Sequence, residues 1–134
     1  MINDLRQLLL AEPSIANIVQ GRVFVAGPGI SSFLPKVVIH QLASDEQNDL
    51  EVSGDARMLT LDIDCQGATG QDSFELAQAV RLFLKDYVGP TVSGGAVIDA
   101  LNVNDEHTEV ERTTQAGQIR QFSVTLEVDV FYQP

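Results

Sequence analysis

The sequence predicts an α+β fold, a largely antiparallel sheet of about five strands with two main helices packed on one face. Three observations lead there. Residues 122–130 alternate strictly, with Phe122, Val124, Leu126, Val128 and Val130 on one side and Ser123, Thr125, Glu127 and Asp129 on the other. Residues 71–88 instead repeat at helical spacing, with Ala77, Val80, Leu84 and Val88 on one side. Short β-branched runs separated by Gly and Pro fill most of the rest, in the order α-β-β-β-α-β-β. At 134 residues, with no linker, repeat or low-complexity tract, residues 1–134 form a single domain.

Each element has its own local reason. Asn3 or Asp4 can cap an opening helix that carries Leu5, Leu8 and Leu9; Pro13 ends it. Ser14 restarts a turn through Ile15, Ile18 and Val19, and Gly21 closes the unit. RVFVA (22–26) and KVVIHQLA (36–43) read as strands on either side of the Pro- and Gly-punctuated loop GPGISSFLP. Residues 44–55 are polar and turn-rich, a connection or the arm of a hairpin. A third strand covers 57–66, and Gly67 to Gly70 breaks it. The main helix then starts at Gln71 or Asp72 and stops at Gly89-Pro90. Residues 96–103 and 118–132 form a strand pair joined through an acidic segment and the turn ERTTQAG.

Composition excludes several functions. Eight basic against nineteen acidic residues give a net charge of −11, a surface that repels phosphate backbones and anionic lipid. The hydrophobic share of 44% is too high for a disordered acidic chain. One cysteine allows no internal disulfide, and no CxxC or Cys/His cluster suggests structural zinc. The opening MINDLRQLLLAEP is too short and wrongly flanked for a signal peptide, and nothing approaches a membrane span. The expectation is a soluble protein of a reducing compartment.

The stretch LTLDIDCQG (59–67) invites a metal-site reading, and strand geometry argues against it. Asp62 and Asp64 share one strand face, about 7 Å apart. Cys65 belongs to the opposite face with Leu59, Leu61 and Ile63, as a small core residue. His40 and His107 lack HxH or HExxH context, the first reading as a core-edge or interface residue and the second as part of a solvated face. There is no G-x-S-x-G elbow, GxGxxG or GK[ST] motif, so no catalytic, cofactor-binding or metal residues are expected. What remains is acid: Asp62, Asp64, Glu127 and Asp129 are expected on the sheet face away from the helices. Such a face serves solubility or repels a polyanion.

The element order resembles that of the tail-terminator, or tail-completion, proteins of long-tailed bacteriophages. The matching pieces are the leucine helix leading into VQGRVFVA, the strand LPKVVIHQL, and RMLTLDIDCQG running directly into SFELAQAVRLFL. The long final strand RQFSVTLEVDVFYQ completes them. The resemblance implies a non-enzymatic ring, usually of six subunits, that caps the tail tube, stops its polymerisation and meets the head-completion or stopper protein. It places the protein in the virion, at the head-proximal end of the tail, after assembly in the bacterial host cytoplasm. DNA passes through such a ring without specific binding, so Asp62, Asp64, Glu127 and Asp129 become candidates for the lumen surface. Asp45, Glu46, Asp49 and Glu51, with Arg112 and Arg120, are the candidate contacts to neighbouring subunits or the tail-tube protein. The competing readings are a generic α+β adaptor that dimerises by an edge strand, and a small carboxylate- or metal-dependent enzyme.

Overall fold

A computed structural model describes residues 1–30, 33–46, 57–92, 94–112 and 120–134. Three helices, α1 (Ile2–Ala11), α2 (Pro13–Val19) and α3 (Gly70–Leu84), accompany six strands. The strands are β1 (Val23–Val25), β2 (Lys36–Glu46), β3 (Arg57–Gly67), β4 (Gly89–Pro90), β5 (Val97–Arg112) and β6 (Arg120–Gln133). They form one sheet in the order β1-β2-β3-β6-β5-β4. The α+β expectation holds, but the sheet has six strands and is mixed, where about five antiparallel ones were expected. β1 pairs with β2 in parallel, Val23 opposite Val37 and Val25 opposite Ile39. The sixth strand is only Gly89–Pro90, too short to leave a periodic signal, and its proline sits where proline is tolerated, on an edge.

The helix boundaries follow from side-chain chemistry. Pro13 stands at the first position of α2, where its missing N–H costs nothing, and Glu12 caps that helix by accepting from the Ser14 N–H. Gln20 (φ 50) and Gly21 (φ 86) end it in left-handed conformations. Asp4 does not cap α1; its Oδ2 accepts the Ala96 N–H at 3.1 Å and ties the helix to the start of β5. Thr69, just before the expected start, caps α3 by accepting the Asp72 N–H at 3.0 Å. That helix stops at Leu84 rather than Val88, since Asp86 turns left-handed (φ 59) and Val88 swings into solvent.

All three helices cover one face of the sheet. Leu59, Leu61, Ile63 and Cys65 of β3 and Val124, Leu126, Val128 and Val130 of β6 point into it. Leu5, Leu8 and Leu9 of α1, Ile15 and Val19 of α2, and Leu76, Ala77, Val80 and Leu84 of α3 meet them from above. Each fully buried Leu or Ile contributes about 1.5–3 kcal/mol. β5 is far longer than expected: the acidic segment after Val103 continues the strand to Arg112 instead of leaving it. A register shift between Val103 and Asp105 inverts the facing there. Glu106 therefore lies on the helix side, with its carboxylate 3.6 Å from Arg81 of α3.

Candidate functional site: the acidic face of the sheet

Strand alternation sends the polar half of β3 and β6 to the side without helices. The register sets Asp62 opposite Glu127, Thr60 opposite Asp129 and Asp64 opposite Thr125. The acidic residues expected together, Asp62, Asp64, Glu127 and Asp129, thus do share one face. β2 adds His40 to it, and the shifted part of β5 adds Asp105, His107 and Glu109. Both histidines sit on this face, His40 as a half-exposed residue against Asp64 and His107 within 3.9 Å of Asp105 Oδ2.

The carboxylates differ in how they are held. Asp64 accepts from Thr125 Oγ1 at 2.6 Å and lies 2.9 Å from His40 Nε2, so both of its oxygens have partners. Asp129 accepts from Thr60 Oγ1 at 2.8 Å and from Asn104 Nδ2 at 2.6 Å. Asp62, between them, has a buried Oδ1 with no hydrogen-bond partner. Partial burial pushes its carboxyl above the usual value of 3.8; the neighbouring Asp64 charge adds to the rise, and His107 and His40 oppose it. A groove of about 230 Å³ runs over this point, walled by His40, Leu42, Asp64, His107, Glu109 and Thr125. Ser123 and Thr125 form its floor and are only 4% and 6% exposed.

Chemically this is a held acidic surface with two imidazoles. Among the described residues no group of three or more His, Cys, Asp or Glu side chains is placed to hold a metal ion. The histidines were missed because each was read on its own strand. Only the registers bring them to Asp62 and Asp64: His40 stands opposite Asp62 in the β2–β3 ladder, and the shift at 103–105 turns His107 to this face.

Comparison with known proteins returns structure alone. No family model and no curated protein matches the sequence. A chain from a solved structure titled "Virion of native gene transfer agent (GTA) particle" superposes with a TM-score of 0.64 at 15% identity. The match covers 97% of this chain and 92% of that one. The two share a fold from end to end.

The candidate contact residues fall at opposite ends of the sheet. Asp45 and Glu46 end β2, where Glu46 pairs with Arg57 and Arg57 with Tyr132. Arg112 and Arg120 pair with each other at the far tip, beyond Phe122. Asp49 and Glu51 lie outside the described residues. These strand ends lie at opposite ends of β6, and one partner cannot touch both without spanning its length.

Proposed function

We propose that the chain is a structural protein of a phage-type particle, and specifically a non-enzymatic tail terminator. It forms a ring, of six copies by the family resemblance, on the head-proximal end of a tail tube. The ring stops tube polymerisation and presents a surface to the head-completion protein. The observation that carries this reading is the end-to-end fold match to a chain of a gene transfer agent virion, in which nearly all of both chains is used.

The acidic face fits the role. In a ring with helices outward, Asp62, Asp64, Glu127 and Asp129 line the lumen, where like charge keeps passing DNA from adhering. Purified protein mixed with polymerising tail-tube protein should give tubes of limited length with a ring at one end in negative-stain images. Tubes that keep growing, with no end density, would sink the proposal.

A further inference from the structure

The two edges of the sheet are stepped. On one edge β1 lies beside only Val37–Ile39 of β2, toward the Phe122 end of β6. The rest of β2, from His40 to Glu46, has no strand on that side among the described residues. On the other edge β4 lies beside only Val97 and Ile98 of β5, at the Tyr132 end. From Asp99 to Arg112, β5 likewise has no outer strand among the described residues. At the Phe122 end the β1 edge thus protrudes where the β5 edge is recessed, whereas β4 stands level only with Glu46, the last described residue of β2.

We infer that these edges join one copy of the chain to the next, β1 of one copy seating against the open run of β5 of the next. Both copies keep the same orientation, so the contact is head-to-tail, the kind that closes into a ring when the rotation allows. Strand direction agrees. β1 runs parallel to β2 and therefore antiparallel to β5, the pairing that extends a sheet by an edge strand.

Charge supports the same pairing. One row across the sheet runs Lys36, Gln66, Ser123, Glu109, and Arg22 flanks Lys36 through its carbonyl, which accepts the Val37 N–H at 2.9 Å. Seating the edges in register brings Arg22 of one copy to the level of exposed Glu109 on the next. A face-to-face pairing of two β5 edges would instead set the acidic run of Asp105 and Glu109 against its own copy, which costs stability. The inference deepens the ring reading and rests on it only for closure, since the step at the Phe122 end exists whether or not the chain of copies closes.

The row Phe24, Val38, Asp64, Thr125, His107 supplies the test. In the joined edges Phe24 of one copy faces His107 of the next, with Cβ atoms about 5 Å apart, within reach of a disulfide after a small shift. Chains carrying Phe24→Cys and chains carrying His107→Cys are purified separately, mixed at millimolar concentration and oxidised; buried Cys65 does not compete. A mixed disulfide that neither variant forms alone is the expected result. Homodimers of either variant, or no disulfide from two folded variants, overturns the inference. Phe24 is half-buried, so Glu109→Arg, at an exposed site, gives a second measurement. Sedimentation should show self-association weakened about fivefold, and unchanged association or a wild-type chain that never self-associates overturns the inference. Rings in images without the mixed disulfide would remove the edge contact and leave the ring. A mixed disulfide in open strings of copies would keep the contact and remove the ring.

Discussion

His40 Nε2 lies 2.9 Å from Asp64 Oδ2, although the two residues do not face each other across the β2–β3 ladder. The register sets His40 opposite Asp62 and Asp64 opposite Val38, so the imidazole reaches diagonally along the strand. Asp64 thereby gains a second partner beside Thr125, while Asp62, the direct neighbour, keeps a buried oxygen unpaired. Both members of the pair are partly exposed, at 41% and 21% of the side chain, so solvent screens it. A double-mutant cycle of His40→Gln and Asp64→Asn, read by urea unfolding, should give a coupling energy under about 1 kcal/mol. A coupling of several kcal/mol would mean that the pair is far more enclosed than this geometry shows.

Asp62 predicts a dependence of stability on pH with a definite sign. Its folded-state carboxyl titrates above the usual 3.8, because burial and Asp64 penalise the ion. The native state therefore holds this proton more tightly than the unfolded chain does. Stability from this group is highest below 3.8 and falls as pH rises through the folded value; above it, the ionised carboxylate is a fixed cost. Asp62→Asn removes that cost, and its amide can donate where the carboxylate cannot. The variant should melt higher than wild type at pH 7, with the advantage shrinking toward pH 3. Equal melting differences at both pH values would refute the assignment.

The parts of this fold that were legible in the sequence are those with a local period. Alternation in 122–130 identified the inward set of β6, and the same logic separated Cys65 from Asp62 and Asp64 correctly. The acidic face followed from alternation plus the pairing of β3 with β6. Elements that escaped have no period to read. A two-residue strand leaves none, and a three-residue β1 carries no sign of the direction in which it pairs. The continuation of β5 through Asn104 to Arg112 was hidden because the register shift after Val103 breaks the alternation just where acidity suggested a loop. His40 reaches the site through the β2–β3 register and His107 through the shifted β5–β6 register, neither of which single-strand reasoning sees.

Gly67 marks a close approach of helix backbone to strand that a single substitution can test. A Cβ there would lie 2.7 Å from the Ser73 backbone nitrogen and 2.9 Å from Asp72 Cβ, so the start of α3 passes directly over the end of β3. The atoms in the way are helix backbone and a Cβ, neither of which can rotate aside. Gly67→Ala should cost about 1–3 kcal/mol, as overpacking does. Thr69→Ala, which only removes the cap on the Asp72 N–H, should cost about 1 kcal/mol. If Gly67→Ala proves the milder of the two, α3 is not pinned against β3 as described.

Cys65 offers a probe of the sheet's integrity. Its thiol is fully buried between the helices and β3, and burial first, then the charges of Asp64 and Glu106, pushes its pKa far up. Since the thiolate is the reactive species, neither access nor ionisation favours reaction in the folded chain. A thiol reagent such as Ellman's should leave the native protein unmodified at pH 8 and react with one equivalent once urea unfolds it. Because β3 lies at the centre of the sheet, between β2 and β6, protection at Cys65 should be lost only in global unfolding. Cys65→Ser, which places an unmatched hydroxyl in that apolar position, should cost about 1–3 kcal/mol, whereas Cys65→Ala loses only packing. Rapid modification of the folded protein would show that the central strands open locally, and the helix layer would then be a looser lid than the buried contacts of Leu76, Ala77 and Val80 indicate.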